Sequence, residues 1–193
     1  MANKKIRSFL AIELPRNIIS KIEMIQNDLK SSEAQVKWVR PGSIHLTLKF
    51  FGNIEEKTID DISRIVGEVA SRFNAFHLDV EDVGAFPNES RPRVIWVGTR
   101  FVEGTLEILH KELETRLTKL GFEPEKRDFN PHLTLGRVKS LKGKRQLIEQ
   151  MGKIKGCKLG SFLVESLFLF KSDLRPTGAV YTKLRTFDLI PKQ

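Results

Sequence analysis

The chain has 193 residues and a formal net charge of +9, from 33 Lys and Arg against 24 Asp and Glu. An apolar share of 40% with 13 Phe supports a sizeable core and excludes an intrinsically disordered chain. One cysteine, Cys157, excludes an internal disulfide or a multi-cysteine metal site and fits a reducing compartment, and no apolar stretch approaches the roughly 20 residues that span a bilayer, so a cytoplasmic protein with no membrane contact is expected.

In chain order, a strand is predicted over Ser8–Leu14. Ile18, Ile22, Ile25 and Leu29 then recur at helical spacing behind Pro15, a residue tolerated in a first turn. A strand over Ile44–Phe51 precedes a second helix marked by Ile59, Ile62, Val66, Val69 and Phe73. Strands over Phe76–Val83 and Val94–Val97 follow. A third helix carries Leu106, Leu109, Leu113, Leu117 and Leu120, closed by Gly121. The remainder reads as a strand over His132–Val138, a weaker helix on Leu147, Met151 and Ile154, and strands over Phe162–Phe170 and Val180–Leu189.

The order β-α-β-β-α-β-β-α-β-α-β-β does not alternate strictly, and adjacent strands pair antiparallel. The expected class is therefore α+β, with helices packed on sheets. No linker rich in Pro, Gly or Ser divides the chain, so residues 1–193 read as one domain whose lobes share an interface.

Charge is unevenly spread. Residues 1–100 hold 15 basic and 13 acidic side chains, the remainder 18 and 11, and eight Lys or Arg between Arg137 and Lys158 face Glu149 alone. Such a run suits a polyanionic partner, and equally a solvated helix face.

The chain repeats itself. His45-Leu46-Thr47-Leu48 returns as His132-Leu133-Thr134-Leu135, each after a turn-forming segment. Average residue usage gives one such tetrapeptide a chance frequency of roughly 10⁻⁵ per position. In a strand, His45 and Thr47 share one face and Leu46 and Leu48 the other; His132 and Thr134 lie opposite Leu133 and Leu135 in the same way. The leucines suit a core, which leaves each imidazole beside a hydroxyl on the opposite face. One His-x-Thr strand is ordinarily a structural pair. Two copies meeting about a pseudo-two-fold axis gather two imidazoles and two hydroxyls in one cavity.

That set matches attack on phosphorus. One imidazole deprotonates the nucleophile, the other protonates the leaving oxygen, and two hydroxyls hold the non-bridging oxygens. The scheme requires no metal, and neither motif has a third His or a carboxylate at ligand spacing.

These motifs resemble the two-histidine (His-x-Thr-x) phosphoesterases, and in particular the RNA 2′,3′-cyclic phosphodiesterases, also called RNA 2′-5′ ligases. The likeness includes Arg7-Ser8-Phe9-Leu10-Ala11-Ile12, Lys37-Trp38-Val39, His45 to Gly52, Gly84-Ala85-Phe86-Pro87, Arg93 to Gly98, and Arg127 to Arg137. The resemblance implies a bilobal, pseudo-two-fold fold in which two antiparallel sheets line a central cleft with helices outside. It implies hydrolysis of RNA 2′,3′-cyclic phosphate ends, tRNA-derived ends among them, to 2′-phosphomonoesters. Joining to a 5′-hydroxyl by the same chemistry would give a 2′-5′ linkage. By the family's usual assignment His45 donates a proton to the leaving 3′ oxygen and His132 activates water, although identical motifs do not themselves separate the roles. The resemblance also implies that Arg137 contacts the phosphate and Phe50 the base.

Strict alternation turns Phe50 and Arg137 away from their histidines, five residues on. A bulge would restore them; Gly136 eases one in the second motif, whereas Lys49 offers no such help in the first. No cofactor is expected, because no Gly-x-x-x-x-Gly-Lys loop is present and Lys171-Ser172-Asp173 runs into Leu174 rather than the glycine of an adenylylating ligase. Phe9 and Phe51 read as core, His77 and His110 as structural or exposed. Two rival functions remain: opening of a small cyclic phosphate (a nucleotide or ADP-ribose derivative), and non-catalytic binding of RNA ends. A monomer is the default, since the repeat alone builds a two-sided site.

Overall fold

The computed structural model describes residues 5–100, 104–140, 142–176 and 178–192. Its elements run β1 (Lys5–Glu13), α1 (Arg16–Lys30), β2 (Val36–Trp38), a 3-10 turn (Pro41–Ser43), β3 (His45–Glu55), α2 (Thr58–Ala70), β4 (Phe76–Phe86), β5 (Val94–Arg100), α3 (Thr105–Thr118), β6 (His132–Val138), α4 (Lys144–Lys153), β7 (Lys158–Val164), β8 (Ser166–Arg175) and β9 (Gly178–Asp188). The run expected as one strand over Phe162–Phe170 is divided at Glu165, which carries the chain from β7, paired with β4, to β8, paired with β1.

The strands form one antiparallel sheet in the order β7-β4-β5-β6-β3-β1-β8-β9, with β2 on β6. Two half-sheets were expected, and they are recognisable here: β7-β4-β5-β6 and β3-β1-β8-β9. They are hydrogen-bonded into a single nine-stranded sheet through one residue pair, Leu46 opposite Leu133.

Four helices cover one face. On α1, Ile18, Ile22, Ile25 and Leu29 form the buried stripe, each worth about 1.5–3 kcal/mol if fully removed from water. This helix follows β1 yet packs under the other half, where Lys21 Nζ donates to the Leu159 carbonyl on β7 at 2.6 Å. Fully buried Gln26 donates through Nε2 to the carbonyls of Val39 and Leu135 at 2.8 and 2.9 Å. α4 lies beside α1 with Leu147 and Met151 buried. Helices α2 and α3 pair under the β1-β3 half, joined on their outer faces by Arg116–Glu68 at 3.1 Å and Arg72–Glu112 at 3.4 Å. The core between helices and sheet is continuous and includes Leu10, Leu46, Leu48, Leu133 and Leu135. A second, smaller apolar group of Phe9, Ala11 and Phe170, with Phe168 and Tyr181 against it, lies on the opposite face of the sheet.

Candidate active site

The one pair that joins the halves also sets the site. With Leu46 opposite Leu133 in an antiparallel ladder, His45 is level with Thr134 and Thr47 with His132. The leucines of both motifs are buried on the helix side, while all four polar residues are half-buried on the other. The two histidines therefore occupy diagonal corners of a four-residue block.

Both imidazoles are held alike. His45 Nδ1 is 2.9 Å from the Ser43 carbonyl, and His132 Nδ1 is 2.7 Å from the Asn130 carbonyl. A carbonyl only accepts, so each Nδ1 carries the proton and each neutral ring presents an unprotonated Nε2. No hydrogen bond among the described residues engages the hydroxyl of Thr47 or Thr134.

Their surroundings differ. His45 stacks on Phe9 with centroids 4.6 Å apart, and Tyr181 meets it edge-on at 5.2 Å. Burial holds its imidazole below the ordinary histidine range, against the opposing pulls of the Ser43 carbonyl and the Glu13 carboxylate. Among the described residues the one ring against His132 is Phe86, perpendicular to it with centroids 4.9 Å apart, and His132 borders a cavity of about 340 Å³. Burial pushes the Tyr181 phenol up, while Arg137 and Arg7 pull it down, so both guanidinium charges reach the aromatic group around His45.

The two bulges exist. On β3, Leu10 and Ala11 oppose Lys49 and Thr47, so Leu48 is the extra residue. Lys49 then turns to the helix side, where its ammonium is 2.8 Å from Glu114 Oε2 and donates to the Glu123 carbonyl at 2.8 Å. Phe50 returns to the site face, 60% exposed and 5.8 Å from Phe9. On β6, Ile95 and Trp96 oppose Gly136 and Thr134, so Leu135 is the extra residue. Its carbonyl, free of the ladder, accepts from Val39 N at 2.8 Å and from Gln26. Gly136 gives β2 room to approach, since a Cβ would fall 2.6 Å from Val36 Cγ1 and 3.0 Å from the Trp38 ring and would force one of them to shift. Arg137 emerges exposed, its charge felt at Tyr181. Both bulges interrupt the motif after its third residue.

Sequence reasoning places Phe9 in the core. It is buried, but on the site face against His45. Tyr181, Phe170, Phe86 and Trp96 are not marked as site residues by the sequence. Trp96 and Phe170 lie in runs that are apolar on both faces, Val94–Val97 and Leu167–Phe170, and Phe86 and Tyr181 lie at strand ends beyond the regular alternation, so no pattern marks their functional side. Phe51 packs edge-on against Phe122 at 5.0 Å, and His110 stacks on Phe129 at 3.7 Å, as core residues. The basic run divides. Arg137 faces the cleft, whereas Lys144, Arg145 and Lys153 belong to α4 on the opposite face of the sheet.

A family model described as LigT like Phosphoesterase matches residues 12–96 and 100–181. The chain belongs to the LigT-like phosphoesterases. A relative from Methanothermobacter thermautotrophicus named RNA 2′,3′-cyclic phosphodiesterase is 38% identical over 185 residues, covering 96% of this chain and 100% of the relative. One of the same name from Archaeoglobus fulgidus is 36% identical, over 95% of this chain and 100% of its own length. Among solved structures, TT0787 of Thermus thermophilus superposes with a TM-score of 0.81 at 27% identity, covering 97% of this chain and 100% of that one. LigT of E. coli complexed with 3′-AMP gives 0.78 at 26%, covering 96% and 99%. This LigT-like phosphoesterase thus carries both His-x-Thr motifs, His45 to Leu48 and His132 to Leu135, inside the matched segments. Among its described residues no helix is long and apolar enough to cross a membrane.

Proposed function

We propose that the protein hydrolyses 2′,3′-cyclic phosphate ends of RNA to 2′-phosphomonoesters without a metal, and by the same chemistry joins such ends to a 5′-hydroxyl. The observation that carries this reading is the diagonal pair of imidazoles, each fixed through Nδ1 to a carbonyl two residues back.

The unequal surroundings support an order of events. In a cyclic phosphate the leaving 3′ oxygen stays on the ribose whose base is bound. The aromatic half, with exposed Phe50 and half-buried Tyr181, suits that base, which puts O3′ beside His45. The nucleophile attacks in line from the far side of phosphorus, beside the more open His132. His132 Nε2 takes the proton of water as its oxygen bonds to phosphorus; the P–O3′ bond breaks, and His45 Nε2 delivers a proton to O3′. His45 must enter the reaction protonated, and the anionic phosphate favours that by opposing the effect of burial. Thr47 and Thr134 donate to the non-bridging oxygens and Arg137 adds a charge-assisted contact. A cytoplasmic setting, a monomeric working form and tRNA-derived ends among the substrates belong to the same reading.

The decisive assay uses an RNA oligonucleotide with a 2′,3′-cyclic phosphate end in excess EDTA. Wild type should yield a 2′-phosphate end, and His45→Ala or His132→Ala should each slow it by about 10²–10⁴-fold, the range of a lost general acid or base. Binding without conversion, unaltered in both variants, would leave only an RNA-end-binding protein.

A further inference from the structure

The cavity beside His132 opens from one corner of the block of four motif residues, on the side from which the nucleophile approaches, and extends well beyond the space that a water molecule needs. Its floor is built by an absence of side chains. Gly98 on β5 stands opposite His132, and Gly84 on β4 stands opposite Trp96. A Cβ on Gly84 would fall 2.3 Å from the Trp96 ring, and one on Gly98 would be 3.3 Å from it. The two glycines therefore let the indole lie flat across the sheet with a ring face toward the cleft. Phe86, 5.3 Å from Trp96 and tilted by 37°, bridges it to His132. At 340 Å³ the space is near the lower end of the roughly 300–1,000 Å³ typical of small-molecule sites.

The far end is polar. Asp82 is an extra residue on β4 with φ of 63°, and the irregularity brings Glu81 and Asp82 together into the cavity lining with Arg100 and Asn130. Glu81 holds Arg100 at 3.3 Å. Asp82 Oδ1 accepts from Val83 N and Gly156 N. Glu81 is paired with Arg100 and Asp82 has Lys155 within electrostatic reach, so this end offers hydrogen-bonding groups for hydroxyls and amino groups rather than a one-signed charge. Flat aromatic surface beside such groups suits a nucleoside.

Resting on the phosphodiesterase reading, we infer that this cavity seats the nucleoside whose 5′-hydroxyl attacks the cyclic phosphate, its base on Trp96 and its ribose next to His132. The 5′ oxygen replaces water. Its proton passes to His132 Nε2 as the P–O5′ bond forms, the P–O3′ bond breaks, and His45 returns a proton to O3′. The product is a 2′-5′ phosphodiester, and no energy source beyond the strained ring is consumed. The cavity makes the enzyme selective for a nucleoside alcohol over water, which decides between joining and hydrolysis.

The test is a partition experiment on the full chain. RNA with a 2′,3′-cyclic phosphate end is incubated with adenosine or uridine, and separately with methanol at equal concentration, and the ratio of transfer product to 2′-phosphate is measured. A nucleoside ratio at least about tenfold above methanol is expected, reduced about tenfold in Trp96→Leu, with circular dichroism and the urea midpoint reporting that the variant is folded. Hydrolysis with no preference for nucleoside over methanol overturns this inference and leaves the phosphodiesterase reading standing. A Trp96→Leu effect that appears as a higher KM for the cyclic-phosphate RNA, with the ratio unchanged, assigns the cavity to the other base and also overturns it. Failure of wild type to hydrolyse the end at all overturns both.

Discussion

At the scale of single residues, two identical motifs acquire different chemistry from their neighbours alone. His45 is enclosed by Phe9, Phe170 and Tyr181, and burial depresses its pKa; His132 borders open space. In ¹H–¹³C correlation spectra of the free protein, the His45 ring should titrate below the ordinary histidine value, and inorganic phosphate should raise its midpoint because an anion beside Nε2 favours the imidazolium. A phosphate-insensitive midpoint would remove His45 from the phosphate site. Arg137 offers a second check. Removing a charge-assisted contact of about 1.5–3 kcal/mol should lower kcat/KM roughly 10–100-fold in Arg137→Ala. Lys at that position should restore only part of the loss, since an ammonium cannot present the planar fork. Equal activity of Arg137→Ala and wild type would place the guanidinium outside the reaction.

At the scale of elements, the bulges convert a simple repeat into a site with different fifth residues. The first is anchored by a charge drawn inward: the Lys49 and Glu114 side chains are only 8% and 14% exposed, their ion pair spans 2.8 Å, and Glu114 also accepts from Glu125 N. Glu114→Ala strands an ammonium in the core and should destabilise the fold by about 3–5 kcal/mol, read from urea midpoints, whereas Lys49→Met combined with Glu114→Leu should recover most of that because no unpaired charge remains. A double variant as unstable as the single one would show that the pair specifies the bulge rather than merely surviving in it. These anchors explain what could be read in advance. Helical stripes such as Ile18-Ile22-Ile25-Leu29 and the duplicated His-x-Thr were legible because period and repetition are local. The Leu135 bulge had a visible cue in Gly136. The Leu48 bulge had none, because the carboxylate that anchors it lies on α3, 65 residues from Lys49. The single joint at Leu46 and Leu133 was equally hidden, for strand pairing across the halves leaves no mark in composition.

At the scale of the whole molecule, charge and site occupy different faces. The α4 cations lie behind the sheet, and the sheet and core together put them beyond the screening length of about 8 Å at physiological salt from a substrate in the cleft. Lys144→Glu with Arg145→Glu should therefore leave kcat/KM for a short cyclic-phosphate RNA within about twofold, and a loss of about tenfold would show that RNA wraps onto the helical layer. Acidity acts on the fold through both depressed histidines. His110, buried against Phe129, shares the lowered pKa of His45, again chiefly through desolvation. In the unfolded chain both take protons near the ordinary value of roughly 6.5, in the fold only at lower pH. Between those limits the unfolded state binds more protons, so their contribution to stability diminishes as pH falls below that value and is fully present above it. Urea midpoints should accordingly climb from the acidic side toward about pH 6.5, with His110→Phe, which keeps the ring stack, flattening part of the slope. A His110→Phe curve parallel to wild type would mean that His110 binds protons equally in the folded and unfolded chain, with Glu114 cancelling the effect of burial.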